Sequence, residues 1–367
     1  MTEQTQRSES SQWRLIWRQF TKHKLGYVSL YVLIALLVIG VFFPEFFAPY
    51  NPQKRFRYQH LPPQRLRWVD AEGSFHLWPF TYNYEQVRDR QTFQMATRPD
   101  TSERYPLRFF VQGDEYRLLG FIPARTHFFG VAEGGTIILF GTDELGRDMF
   151  SRTINALRIS MVVGLVGVAI SLFLGMLLGG ISGLLGGWVD GIIQRVIEVF
   201  IAIPKIPLWM ALAAAVPREW GPVQVYFAIT IILSFMGWTG MARVVRSKFL
   251  SLRKEEYVLA ATAFNVPQRQ IIFRHLIPNF ISYVLVNLTL SIPGMIIGET
   301  SLSFLGIGLR PPVISLGVLL QQAQSFQNVA LHPWLLIPGL FVILIVLIYN
   351  FVGDGLRDAA DPYKKYQ

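Results

Sequence analysis

The sequence predicts an all-α polytopic membrane protein of six transmembrane helices with a small α+β extracytoplasmic insertion. Three observations lead there. Of the 367 residues, 51% are hydrophobic and only 16% charged, whereas soluble domains of this size carry about a quarter charged residues. The apolar residues fall in blocks long enough to cross a bilayer. The short segments that six spans would leave inside are rich in Lys and Arg, as the positive-inside rule requires. The formal charge of +10 therefore reads as basic loops facing membrane lipid, and nucleic acid is not an expected partner. Cysteine is absent, which excludes thiol chemistry, disulfides and Cys-based metal sites.

Residues 1–24 form a cytoplasmic tail and amphipathic segment, in which Trp13, Arg14, Trp17, Arg18, Lys22 and Lys24 interleave aromatic and basic groups. Such a pattern suits the headgroup layer. Residues 25–43 are apolar and free of charge, enough for a hydrocarbon core of roughly 30 Å. A cleaved signal peptide would have a shorter apolar region followed by small residues. Here Phe42-Phe43-Pro44-Glu45-Phe46-Phe47 follows, so the span is expected to be retained.

Residues 44–152 are water-soluble in character and make up the outer insertion. Leu66–Asp70 and Ser74–Trp78 flank Ala71-Glu72-Gly73 and read as a hairpin. A second hairpin is expected between Leu107–Val111 and Tyr116–Ile122 across Gln112-Gly113-Asp114-Glu115, and Tyr84–Met95 reads as a surface helix. His60, His76 and His127 match no metal-ligand spacing and are expected to be structural. In Gly141–Asp148, Asp143 and Asp148 flank Arg147, predicting a local ion-pair network at a structural turn.

Residues 153–353 form the transmembrane core. Its second span, Ile159–Ile181, carries Gly164, Gly167, Gly175 and Gly179, with Gly183 just beyond, spacings that allow close helix approach. A third span, Ile192–Val216, is interrupted by Pro204, Lys205 and Pro207. Lys205 is costly at membrane depth unless it faces protein or water. With Glu299, at the end of the fifth span, it is a candidate translocation-pathway residue. Val223–Ala242, Ile281–Ile297 (bent near Pro293-Gly294) and Trp334–Val352 complete the six, and residues 354–367 form a cytoplasmic tail.

Between the fourth and fifth spans, residues 243–279 are a polar island. Tyr257, Ala260, Ala261 and Phe264 recur at helical spacing. Asn265 can end that helix in a left-handed conformation, and Pro267 can start another. With both termini inside, this knob faces the cytoplasm. Among its polar residues are Glu255, Glu256, Arg269, Arg274 and His275.

Glu256–Ala261, followed after Asn265 by Ile271–Asn279, resembles the EAA loop of ABC-importer permeases. Gly141–Asp148, Gly298–Gly308 and Asn350–Asp358 before Asp361-Pro362 make the chain similar to the C-type subunit of the dipeptide/oligopeptide/nickel branch. There are two departures: Asn265 stands where the family has Gly, and the outer insertion is longer. The resemblance implies an ABC type I importer permease fold in a bacterial inner membrane. It also implies transport of di- or oligopeptides, with oligosaccharides or another solute as the alternative. The implied partners are a homologous second permease, two ABC ATPase subunits and an extracytoplasmic substrate-binding protein. The coupling contacts to the ATPases would fall on Glu255, Glu256, Tyr257, Ala260, Ala261, Asn265, Arg269, Arg274 and His275. No G-x-x-x-x-G-K-[ST] loop is present, so the chain is expected not to be an enzyme. It would carry no cofactor of its own, with ATP and magnesium on the partner ATPases. The rival from another class is a membrane-anchored enzyme with its site in residues 50–140, for which the sequence supplies no nucleophile or metal motif.

Overall fold

A computed structural model describes residues 14–88, 95–252, 254–264, 266–267, 270 and 277–360. Helix α1 (Lys24–Leu36) continues as a π-turn at Leu37–Phe42, and a one-turn helix α2 (Pro44–Phe47) follows. Strands β1 (Arg67–Val69), β2 (Phe75–Arg88), β3 (Met95–Leu118) and β4 (Ile122–Val131) come next. The remaining helices are α3 (Met149–Leu185), α4 (Gly187–Ala202), α5 (Lys205–Ala214), α6 (Pro222–Leu252), α7 (Glu256–Ala263), α8 (Ile277–Phe304), α9 (Leu316–Leu320), α10 (Phe326–Leu331) and α11 (Ile337–Ala360). The chain forms two compact units, residues 1–34 with 163–302 and 343–367, and residues 35–162 with 303–342.

In the second of these units the strands pair antiparallel in sequence order. The expected first hairpin is present: Val69 pairs with Phe75, Gly73 turns with φ +87, and the Asp70 carboxylate accepts the Ser74 amide at 2.8 Å. The second is displaced. β3 runs through residues 112–115, and its turn to β4 lies at Leu119 and Gly120, with φ of +53 and +86. Residues 112–116 are instead a register irregularity. Asp114 there accepts the Asn51 amide at 3.1 Å and the Lys54 ammonium at 2.8 Å, so this polar stretch is held by neighbours and does not turn.

The surface helix expected at Tyr84–Met95 is overturned. Tyr84–Arg88 belong to β2 and Met95 opens β3, with Tyr84 opposite Pro99 and Val87 opposite Ala96. Residues 89–94 lie outside the described residues. Local polarity suggested a helix, but the cross-strand ladder decides the conformation.

The histidines have structural partners. His127 is buried, with Nδ1 2.6 Å from the Ala48 carbonyl and Nε2 3.0 Å from that of Asp114. His76 lies 2.8 Å from Asp70, and His60 stacks on His332 with ring centres 4.0 Å apart. No group of three or more potential ligands that could hold a metal ion occurs among the described residues. In the Gly141–Asp148 turn, Arg147 Nε donates to Asp143 at 2.7 Å and Asp143 also accepts the Leu145 and Arg147 amides. Asp148 does not join Arg147; it accepts the Phe150 and Ser151 amides at the start of α3. An acid at that position satisfies orphan donors and favours the helix dipole.

Among the described residues, five helices are long and apolar enough to cross a membrane, or up to six if one bent pair counts as a span. That pair is α4 and α5, which meet at 88°, where a single interrupted span was expected. Pro204 carries no N–H and precedes a second proline at Pro207, so the helical ladder breaks there. By contrast, α8 continues through Pro293. Helix α3 has 37 residues, roughly 55 Å at 1.5 Å per residue, so it extends well past a hydrocarbon core.

Candidate functional site

The polar knob begins where α6 ends. The Glu255 carbonyl accepts the Val258 and Leu259 amides, both at 3.0 Å, which starts α7 with Glu256 in its first turn, a favourable place for a negative charge. Eight residues are too few to hold a helix in water unaided, so its docking to the body decides whether it persists. Among the described side chains, Val258 leads that docking. Val258 is 4% exposed and packs with Val245 and Phe249 of α6 and Val284 of α8, with Ala261 and Val266 at the edge. The remaining face is open: Glu255, Glu256 and Ala260 are exposed, as are Tyr257, Leu259 and, at 83%, Phe264. Asn265, Arg269, Arg274 and His275 lie outside the described residues. The periodicity grouped Phe264 with Tyr257 and Ala260 but did not identify Val258 as the anchor.

Behind this knob α6 lies against α3 along a seam of glycines. A Cβ added at Gly175 would meet the Met241 side chain at 2.6 Å, and one at Gly183 would meet Phe249 at 2.8 Å. At Gly179 it would strike the Ala242 backbone, with the Ala242 Cα at 2.9 Å. The two helices therefore lie in close contact over a little more than two turns, from Gly175 to Gly183. α4 packs onto the same pair: Ile197 with Trp238 and Ala242, flanked by Leu174, Leu178, Ile193 and Phe200. Asp190 near the start of α4 is gripped by Arg246 of α6, with Nε and Nη2 at 2.6 and 2.5 Å from its two oxygens. Ser182 of α3 also hydrogen-bonds to Asp190, and Gln194 donates to Ser182 at 3.1 Å. Local sequence does not mark this cluster, because Arg246 stands 56 residues from Asp190.

The same unit contains a cavity of about 320 Å³ bounded by α3, α5, α6 and α8. Met241, Met295 and Trp209 supply much of its apolar wall, and Ser171, Ser291 and Lys205 its polar groups. Lys205 is thus a lining residue. Its backbone opens α5 directly after the break at Pro204. Glu299 does not line this cavity: it is fully buried in α8. Gly298 beside it leaves room for the Trp209 ring, which a Cβ would meet at 3.0 Å.

Residues 171–366 match the family model of the binding-protein-dependent transport system inner membrane component. Residues 11–63 match that of the N-terminal transmembrane domain of oligopeptide transport permease C. The chain belongs to this family. It is a multi-pass inner-membrane permease subunit of the C type, and not an enzyme. Among relatives, the oligopeptide transport system permease protein OppC of Haemophilus influenzae is 42% identical over 224 residues, 61% of this chain and 70% of that protein. OppC of Bacillus subtilis is 37% identical over 61% of this chain and 71% of its own length. The dipeptide transport system permease protein DppC of Lactococcus lactis is 30% identical across 94% of this chain and 89% of its own length.

Proposed function

We propose that this chain is one of the two permease halves of an ATP-driven importer of di- or oligopeptides, and that α7 is its coupling helix. The observation that carries the reading is the construction of α7. It is a short helix anchored by a buried valine, presenting carboxylates, alanines and two large apolar side chains that stand exposed among the described residues. Leu259 and Phe264 at 56% and 83% exposure suit a groove on a partner protein. A partner that hydrolyses ATP with magnesium would supply the energy, since the chain has no phosphate loop. Glu255, Glu256, Tyr257, Ala260 and Ala261 are the described contact residues, and Asn265, Arg269, Arg274 and His275 extend the contact.

With both termini and α7 in the cytoplasm, the four-stranded sheet faces outward, where a substrate-binding protein would deliver cargo. The cavity beside Lys205 lies on the translocation path, completed by a homologous second permease. The apolar outer faces of α1 and α11, such as Val28 and Leu340 at 60% and 63% exposure, meet lipid or that second permease.

The test uses the assembled transporter in proteoliposomes, with its binding protein outside the vesicles and ATP inside, on the side of the ATPases. Peptide should accumulate only when both are present, and Glu256→Lys should abolish both accumulation and binding-protein-stimulated ATP hydrolysis while the complex still assembles. Full uptake by that variant would remove α7 from the coupling role. Accumulation of an oligosaccharide and no peptide would reassign the cargo alone.

A further inference from the structure

We infer that the Asp190–Arg246 pair, with Ser182 and Gln194, is the positioning element that makes the cavity wall follow the coupling helix. The inference rests on the reading of α7 as the coupling element. Two routes run from α7 towards the cavity. One is α6 itself, which leads into α7 and whose residues Leu233, Gly237 and Met241 line the cavity. The other must reach Lys205 and Trp209, which stand on α5, and α5 is joined to α4 only through an 88° break at Ile203 and Pro204. A broken helix transmits displacement poorly unless the segment before the break is fixed to whatever moves.

Asp190 provides that fixing. It sits in the first turn of α4, and Arg246 lies six residues before the end of α6, close to the point where α7 begins. The guanidinium meets both carboxylate oxygens, at 2.6 and 2.5 Å. A bidentate pair of this kind sets orientation as well as distance. Ser182 ties the same carboxylate to the end of α3, and Gln194, one turn further along α4, holds Ser182. Three helices are therefore locked at the end nearest α7, and apolar packing of Ile197 against Trp238 and Ala242 carries the lock towards the break.

Without the pair, α6 would still move with α7, but α4 and α5 would follow only through apolar contacts that can slide. ATP hydrolysis would then proceed while one wall of the cavity lagged. A merely structural ion pair would instead lower both activities together.

The test measures peptide uptake and binding-protein-stimulated ATP hydrolysis on the same proteoliposomes of the complete transporter. Asp190→Asn and Arg246→Gln should each lower uptake about tenfold while stimulated hydrolysis stays within about twofold, so that ATP consumed per peptide rises. The double variant should be no worse than either single one. Arg246→Lys, which keeps the charge and loses the two-point contact, should show the same split and serves if a neutral variant does not assemble. Uptake and hydrolysis falling in parallel, additive effects in the double variant, or unchanged coupling would each overturn the inference. Glu256→Lys run alongside separates the two readings: if it leaves uptake intact, the coupling role of α7 has failed instead.

Discussion

Replacing Val258 by Ala should detach the coupling helix while leaving the spans in place. Among the described side chains of α7, Val258 is the nearly fully buried one, at 4% exposure among Val245, Phe249 and Val284. The substitution removes two methyl groups, about 1.6 kcal/mol at roughly 0.8 kcal/mol each. The hole left beside Phe249 raises the total to about 2 kcal/mol. Since 1.4 kcal/mol is a factor of ten, the undocked population of α7 should rise by about thirtyfold. Hydrogen exchange on the assembled complex reads this directly. The amides of Leu259 to Phe264 should lose about thirtyfold in protection, while those of α3 along the glycine seam keep theirs. Uptake should fall with the lost docking. Unchanged protection of α7 would refute the assignment of Val258 as its anchor. Lost protection with full uptake would refute the link between docking and transport.

Other consequences are equally concrete. Gly179→Val would drive a branched side chain into the Ala242 backbone, whose Cα already lies 2.9 Å from where a Cβ would be. Overpacking of this kind costs about 1–3 kcal/mol or more, so α3 and α6 should separate, seen as a lower melting temperature of the purified protein; an unchanged value would contradict the seam. Burial raises the Asp148 carboxyl to about 6 from 3.8. The native state then holds this proton more tightly than the unfolded chain, so the stabilisation is complete below about pH 4 and is lost as pH rises through 6, on the order of 3 kcal/mol. Asp148→Asn keeps an acceptor for the Phe150 and Ser151 amides and should abolish that slope, leaving the variant the more stable one at pH 8 in thermal unfolding. A wild type that remained more stable at pH 8 would show that the charge itself is needed.

Much of this architecture was legible because hydrocarbon imposes a strong local rule: a span must be long, apolar and internally hydrogen-bonded. The first hairpin was legible for a similar reason, since Asp70 and Gly73 specify their turn within a few residues. What escaped reading depends on partners distant in sequence. The strand at Tyr84–Arg88 exists through pairing with residues 95–99, and the stretch 112–115 stays extended because Asn51 and Lys54 hold Asp114. The turn falls at Leu119, a residue type with no preference for positive φ, so composition could not mark it. Nothing local distinguishes Val258 from the other apolar residues of the knob; its place in one cluster with Val245 and Val284 does. Asp190 and Arg246 stand 56 residues apart, and only packing brings them together. Pro204 and Pro207 did signal an interruption, but proline alone does not say how far a helix will bend; α8 passes through Pro293 unbroken.

The central claim is that the exposed face of α7 seats in an ATPase subunit. The chain contains no cysteine, so Ala260→Cys introduces a unique thiol on that face. In the assembled transporter this thiol should cross-link to a cysteine placed in the groove of the ATPase partner and should resist a water-soluble maleimide that labels it readily in the isolated subunit. Free labelling in the full complex, with no cross-link to the ATPase, would contradict the account.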